Sequence, residues 1–147
     1  MPSDAKKRLA VIIPLTALTL ASCSTENALE SHLSSADQSS HQSLNLRSIY
    51  GDEWVEFAIV CPYAPKDTVE AELQLEDTPV PRFGFDETQS ILVLKSTSSN
   101  TEWISFKRTH IVDLCPVLSD YDISFRPTDS TLDFIFNLKN NVWEPTN

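Results

Sequence analysis

The sequence predicts an α+β fold with a small, mostly antiparallel sheet, one short helix and one disulfide. Three observations lead to this prediction. Short segments rich in β-branched and aromatic residues recur through residues 49–147. One segment of that range, 68–76, is rich in the helix formers Ala, Glu, Leu and Gln. Two cysteines, Cys61 and Cys115, stand far apart in the chain and can be joined.

The N-terminus has the pattern of an export signal. Three basic residues at 6–8 precede an apolar run of 11 residues at 9–19. A membrane-spanning helix needs roughly 20 apolar residues, and Pro14 interrupts this shorter run. Basic residues followed by an apolar run of this length are typical of a secretory signal peptide. We therefore predict a signal peptide over residues 1–22.

The end of this signal reads Leu20-Ala21-Ser22-Cys23, which is an aliphatic residue, two small residues and a cysteine. It resembles the lipobox of bacterial lipoproteins. The resemblance implies that the Cys23 sulfur receives a diacylglycerol, that the chain is cut before Cys23, and that the new amine is acylated. Two acyl chains suffice for stable anchoring in a bilayer. We expect a lipid-anchored protein on the extracytoplasmic face of the membrane; the alternative is an ordinary secreted protein.

The charge of the chain limits its partners. Residues 1–22 hold three basic residues and one acid, so the remainder has 8 Lys and Arg against 20 Asp and Glu, a net charge of −12. Nucleic acid is excluded as a partner, because it requires a basic face. A second electrostatic contact with anionic lipid is disfavoured for the same reason. The acidity favours solubility, or a cationic envelope protein or peptide as partner.

Residues 23–48 are predicted to be the lipid anchor and a disordered, Ser-rich tether. Eight of the 25 residues in 24–48 are Ser, and none is aromatic. Such a segment buries too little apolar surface to offset its ordering entropy. Leu29 and Leu33 indicate at most a short helical turn. Extended, this tether would reach about 85 Å, and the globular domain would occupy residues 49–147.

The first strand of the domain is predicted over residues 54–61, which are mainly β-branched or aromatic. Pro62 and Pro65 end it.

The next segment, 68–76, is compatible with a helix or a strand. Apolar and polar residues alternate from Val69 to Leu75, which is the period of a strand. The composition favours a helix instead. Asp67, followed three residues later by Glu70, is also typical of a helix N-terminus. We favour the short helix.

The rest of the domain is predicted to consist of strands and turns. A loop at 78–90 is followed by a hairpin of two strands, 91–95 and 101–108. The segment 109–116 then brings Cys115 back toward the first strand, and a strand at 121–125 is stopped by Pro127. The last strand, 131–138, turns at 139–141 and pairs with 142–145. The alternation is clearest from Leu132 to Leu138, where every second residue is apolar. With only two glycines in the chain, asparagines are expected in some tight turns.

Cys61 and Cys115 are predicted to form a structural disulfide. Export places them in an oxidising compartment, where cysteines pair. Closing the long loop between them contributes about 4 kcal/mol of stability in the chain-entropy model. The alternative is a redox or metal-binding pair, but the sequence has no C-x-x-C motif and no histidine cluster near either cysteine.

The order of features is a strand ending at Cys61-Pro62, a short helix, further strands, a V-D-L-C run ending at Cys115, and Trp143 near the C-terminus. This order is similar to that of small uncharacterised exported proteins of high-GC Gram-positive bacteria. The resemblance brings no activity with it.

The sequence contains few candidates for catalysis. It has no glycine-rich phosphate loop, no H-E-x-x-H and no G-x-S-x-G. His110, the one histidine in 49–147, is followed by Asp113, which is compatible with a base and its orienting acid or with half of a metal site. Zinc would need two further ligands, and the cysteines are committed elsewhere. We expect a structural or exposed His110, no metal and no cofactor.

Other polar and aromatic groups are assigned structural roles. Four aspartates lack the pattern of a calcium loop and are expected at strand ends and turns: Asp120, Asp122, Asp129 and Asp133. Three tryptophans could line a sugar or peptide groove, although at least two are expected in the core: Trp54, Trp103 and Trp143.

Together these features predict a lipid-anchored binding or interaction module rather than an enzyme. One alternative is a small envelope hydrolase that uses His110. Another is an inhibitor of a cationic protein that attacks the envelope. Known lysozyme-inhibitor lipoproteins share the anchor and a small β-rich domain, but their signature motifs are absent here.

Overall fold

The structure, a computed structural model, describes residues 28–117 and 122–146. The predicted signal peptide, the lipobox and Cys23 lie outside the described residues. Three helices are described: α1 (Ala28–Ser34), α2 (Leu46–Tyr50) and α3 (Lys66–Leu73). Seven strands are described: β1 (Gln42–Leu44), β2 (Trp54–Val60), β3 (Gln89–Ser96), β4 (Thr101–Lys107), β5 (Arg126–Pro127), β6 (Leu132–Asn137) and β7 (Val142–Thr146).

The described strands form two antiparallel sheets. One has four strands in the order β4-β3-β2-β5, and the other has three in the order β1-β6-β7. A disulfide joins Cys61 and Cys115. The predicted α+β class and the predicted disulfide are therefore confirmed. One sheet and one helix were expected, whereas the described residues form two sheets and three helices. The additional elements α1, β1 and α2 all come from residues 28–50.

The four-stranded sheet is covered on both faces. One face packs against the three-stranded sheet, α1 and α2, in a cluster that includes Phe57, Leu92 and Phe134. The other face packs against α3, in a cluster that includes Val93 and Val69. A strand covered on both sides needs no alternation, which explains the unbroken apolar run in β3.

Residues 28–48 are folded, in contrast to the predicted tether. Leu29 and Leu33 of α1 are fully buried in the core. β1 pairs with the central strand β6, Leu44 lying opposite Leu132. Serine-rich composition was a poor guide here, because leucines spaced for one helix face supply apolar contacts that offset the ordering entropy. Only residues 23–27 of the predicted tether lie outside the described residues.

The preference for helix over strand in 68–76 is confirmed, although its N-terminus differs from expectation. α3 buries Val69 and Leu73, which are four residues apart on one face. Pro65 is the N-cap residue and makes no side-chain capping bond. Glu70, instead of capping the helix, accepts hydrogen bonds from the backbone N–H and the hydroxyl of Thr78, at 2.9 and 3.0 Å.

Two of the predicted hairpins are present. β3 and β4 are joined by a turn that contains Ser99, at φ 64°. β6 and β7 are joined by a turn that contains Asn141, at φ 58°, so one asparagine does occupy a left-handed position. The alternating apolar residues from Leu132 to Leu138 do not all face the core. Phe134 is fully buried, but Leu138, just after β6, is 84% exposed.

The predicted strand at 121–125 is wrong for its described part, because residues 122–125 form no strand. Within this region the chain pairs only in β5, where Arg126 lies opposite Phe57 and Pro127 opposite Glu56. Pro127 therefore does not stop a strand but lies within an edge strand, where its lack of an N–H is tolerated. The apolar side chain of Ile123 packs with the α3 cluster.

Candidate functional site

A cavity of about 490 Å³ lies between the two sheets. This volume is within the range of small-molecule sites in proteins, roughly 300–1,000 Å³. The walls come from β2, β3, β6 and β7, with side chains of α1 and α2 closing the interior. The cavity is therefore formed where the two sheets and the helices pack together, and no single segment encloses it.

Most of the side chains around the cavity are apolar, and several of them, including Phe57, Leu92 and Phe134, are themselves fully buried. Phe57 and Ile59 of β2 and Cys61, which directly follows the strand, all face the cavity, because alternate residues of a strand point to the same side. Leu92 on β3 and Phe134 on β6 face it from the two sheets. Ile59 and Leu132 are only partly buried and supply apolar surface that a ligand can reach.

The disulfide forms part of the cavity wall. Cys61 directly follows β2 and Cys115 lies 54 residues further on, with their Cα atoms 5.8 Å apart. Both cysteines line the cavity, as does Leu114. The disulfide therefore holds the segment around Leu114 against the end of β2 and fixes this wall.

A buried ion pair secures the same wall. The Arg108 guanidinium contacts the Asp113 carboxylate twice, Nε to Oδ1 at 2.9 Å and Nη2 to Oδ2 at 3.0 Å. The guanidinium also donates to the backbone oxygens of Cys115 and Glu87. Asp113 in turn accepts a hydrogen bond from the backbone N–H of Cys115 at 2.9 Å. The disulfide segment is thus held by charge-assisted hydrogen bonds.

The mouth of the cavity is polar. Arg126 lines it, with its guanidinium carbon 4.9 Å from the centre of the Phe57 ring. Asp122 and Asp133 also line it. The Asp133 carboxylate is engaged, because it accepts a short hydrogen bond from the hydroxyl of Ser43. The site combines an apolar interior with a charged rim, which is the usual composition of a ligand site.

His110, the only candidate base, does not pair with Asp113. The carboxylate of Asp113 is occupied by Arg108. The His110 side chain is 63% exposed, and its Nδ1 lies 3.8 Å from an oxygen of Glu30 in α1. His110 does not line the cavity. The base-and-orienter arrangement that the sequence suggested is therefore not formed.

The tryptophans are placed mainly in the core. Trp143 is 1% exposed and packs edge-on against Phe136, with ring centres 5.4 Å apart. Trp54 and Trp103 are half-buried against the two apolar clusters. The large exposed aromatics are instead Phe83 and Tyr63, at 77% and 56% exposure.

The remaining predicted polar sites are dispersed. Asp129 contacts Arg47 at 3.5 Å, and Asp120 lies outside the described residues. The two described histidines other than His110, His32 and His41, were not candidate site residues and are exposed. In 28–117 and 122–146, no group of three or more His, Cys, Asp or Glu side chains is placed to hold a metal ion. No helix in those ranges has the length and apolar character needed to cross a bilayer.

Comparison of the chain with protein-family models, with curated proteins and with solved structures found no match.

Sequence reasoning missed the cavity and the position of Arg126 at its mouth. One signal was present: Phe57, Ile59 and Cys61 share one face of a predicted strand. Nothing in the sequence indicated that this face meets a second sheet with a gap between them.

Proposed function

We propose that the protein is a lipid-anchored binding module that holds a small apolar molecule in the cavity between its two sheets. The observation that carries the proposal is a cavity of about 490 Å³ with apolar walls and a charged mouth. The lipobox at Cys23 supports anchoring on the extracytoplasmic face of the membrane.

The length of chain between anchor and domain also supports the proposal. α1 begins at Ala28, five residues after Cys23. Five residues span at most about 18 Å, so a lipidated Cys23 keeps the domain close to the bilayer. Leu29, one residue into α1, lines the cavity. A site held at this distance is suited to exchanging apolar molecules with the membrane.

The anchor has a direct test. The Cys23→Ala protein is expected in the soluble fraction of the envelope, because it cannot form the thioether to diacylglycerol, whereas the wild-type protein is expected with the membranes. Fractionation followed by immunoblotting measures this. If Cys23→Ala remained with the membranes, lipidation at Cys23 would be rejected.

The binding site is tested with a neutral apolar probe, N-phenyl-1-naphthylamine, whose fluorescence rises in apolar surroundings. The Cys23→Ala chain is expected to bind it saturably. Ile59→Trp, which places a larger side chain in the cavity, should abolish saturable binding, and Leu132→Trp gives a second blocked variant. Phe83→Ser removes an exposed aromatic that does not line the cavity and is the control. If the blocked variants bound as tightly as the parent, the cavity would not be the site.

The proposal is for binding rather than catalysis. His110→Ala is expected to leave probe binding unchanged, since His110 lies outside the cavity lining. A hydrolase that used His110 would lose its base in this variant. If cells with His110→Ala behaved like cells that lack the protein although probe binding was unchanged, the enzyme hypothesis would be favoured.

A further inference from the structure

The geometry of the cavity mouth points to the class of ligand: we infer that the site takes an amphiphile with one anionic head group, whose tail fills the cavity and whose head pairs with Arg126. This inference rests on the proposed function, because it names the ligand of the same site.

Arg126 is the cation that faces the cavity. Within the described residues, Arg47, Lys66, Lys95 and Arg108 each pair with a carboxylate. Among the described residues Arg126 forms no such pair, although Asp122 and Asp133 also line the mouth; Arg82, Lys107 and Lys139 form none either, but they do not line the cavity. A guanidinium with no carboxylate partner, beside apolar walls, can pair with an anion brought by the ligand.

The fold fixes Arg126 in this position. In β5 it lies directly opposite Phe57 of β2, so the two side chains share one face of the sheet. That face is the cavity wall, and the guanidinium lies 4.9 Å from the Phe57 ring centre. Just beyond β5, Thr128 is fully buried and its hydroxyl donates to the backbone oxygen of Trp54 at 2.7 Å. The backbone of Arg126 is thereby held in place, while its side chain is exposed and can reach a head group at the mouth.

The two rim aspartates limit the charge of the head group. Asp122 and Asp133 would repel a dianion at the mouth, and the whole chain is acidic. A monoanion such as a carboxylate, placed against Arg126, meets less of this repulsion than a dianion does. Apolar walls of this size accept an alkyl tail, whose burial supplies most of the affinity.

The test compares three decyl compounds that differ only in the head: decanoate, decanol and decylamine. Each displaces N-phenyl-1-naphthylamine from the Cys23→Ala chain at neutral pH, so no acyl chain on Cys23 competes. Decanoate is expected to bind about tenfold more tightly than decanol. In Arg126→Gln the two should bind equally, with decanol unchanged, and Arg126→Lys should restore much of the preference.

Arg82→Gln is the matched control. Arg82 also lies over an aromatic ring, 5.3 Å from the centre of Phe83, but it does not line the cavity. The preference for decanoate should survive in Arg82→Gln. If it fell as far as in Arg126→Gln, the effect would be one of net charge and the inference would be rejected.

The outcomes separate this inference from the proposed function. If all three compounds bind with equal affinity, the cavity binds apolar chains but Arg126 selects nothing, and only the inference is overturned. If decylamine binds most tightly and Asp122→Asn weakens it, the rim selects cations and the inference is again overturned. If neither the probe nor any compound binds, the proposed function fails and the inference fails with it.

Discussion

The Arg108–Asp113 pair connects the disulfide segment to the rest of the wall. Both side chains are largely buried, at 14% and 12% exposure. We expect Asp113→Asn to lower the free energy of unfolding by about 3 kcal/mol, because it leaves the Arg108 charge buried without a carboxylate. Chemical denaturation measures the loss.

The surface pair Arg47–Asp129 provides the control for that variant. Its atoms are 3.5 Å apart and its side chains are 36% and 57% exposed. Asp129→Asn should change stability by less than about 1 kcal/mol. Equal effects of Asp113→Asn and Asp129→Asn would contradict the structural role assigned to the buried pair.

Glu70 gives a pH-dependent prediction. The backbone N–H of Thr78 is the main cause that lowers the pKa of Glu70 below its ordinary value of 4.5, with smaller contributions from the Thr78 hydroxyl and Lys66. A lowered pKa in the folded state means that the ionised carboxylate stabilises the fold above pH 4.5, and that this stabilisation is lost as the pH falls through the folded pKa.

Melting temperatures of wild type and Glu70→Gln therefore should differ most near neutral pH and converge below pH 4.5. Taking the difference between the two proteins removes the contribution of other carboxylates. A difference that stayed constant from neutral to acidic pH would show that the charge of Glu70 contributes nothing.

Helix α1 belongs to the domain, and its packing can be measured. Leu33 is fully buried, whereas Leu138 is 84% exposed. Leu33→Ala should cost about 2–5 kcal/mol of stability, since it leaves a void in the core, and Leu138→Ala should be nearly neutral. Thermal or chemical denaturation compares the two. A neutral Leu33→Ala would restore the view of this segment as a tether.

The elements differ in how far the sequence could predict them. β2, the β3–β4 hairpin and the β6–β7 hairpin have strong local signals, because β-branched and aromatic runs are bounded by turn residues. The prediction of a tether is wrong for 28–48, because Leu29 and Leu33 lie on one face of α1 and bury apolar surface despite the many serines around them. The strand expected at 121–125 failed in its described part because Ile123 is buried against α3 rather than in a sheet.

The candidate site was less predictable than the fold. A disulfide between Cys61 and Cys115 followed from export and cysteine count alone. The cavity depends on how two sheets approach each other, and the position of Arg126 depends on its register opposite Phe57. Neither the approach nor the register has a signal in local sequence, because both are set by contacts between distant segments.

At the scale of the whole molecule, the described residues combine two sheets and a disulfide. Replacing both Cys61 and Cys115 by alanine should lower stability by about 4 kcal/mol, because the unfolded chain is no longer restricted by the 54-residue closure. Denaturation with and without reductant measures this. The reduced wild-type protein should have the same free energy of unfolding as the double variant. If the double variant were less than about 1 kcal/mol less stable than the oxidised wild type, a stabilising role of the disulfide would be contradicted.

The central claim is that an apolar ligand lies between the sheets, and the most direct test is to locate a bound ligand by NMR. Intermolecular NOEs between decanoate methylenes and protein methyl groups would be recorded on the Cys23→Ala chain. The structure predicts NOEs to Ile59, Val117 and Leu132, which line the cavity and are not fully buried. NOEs confined to exposed methyl groups such as those of Leu138, or none at saturating decanoate, would contradict the claim.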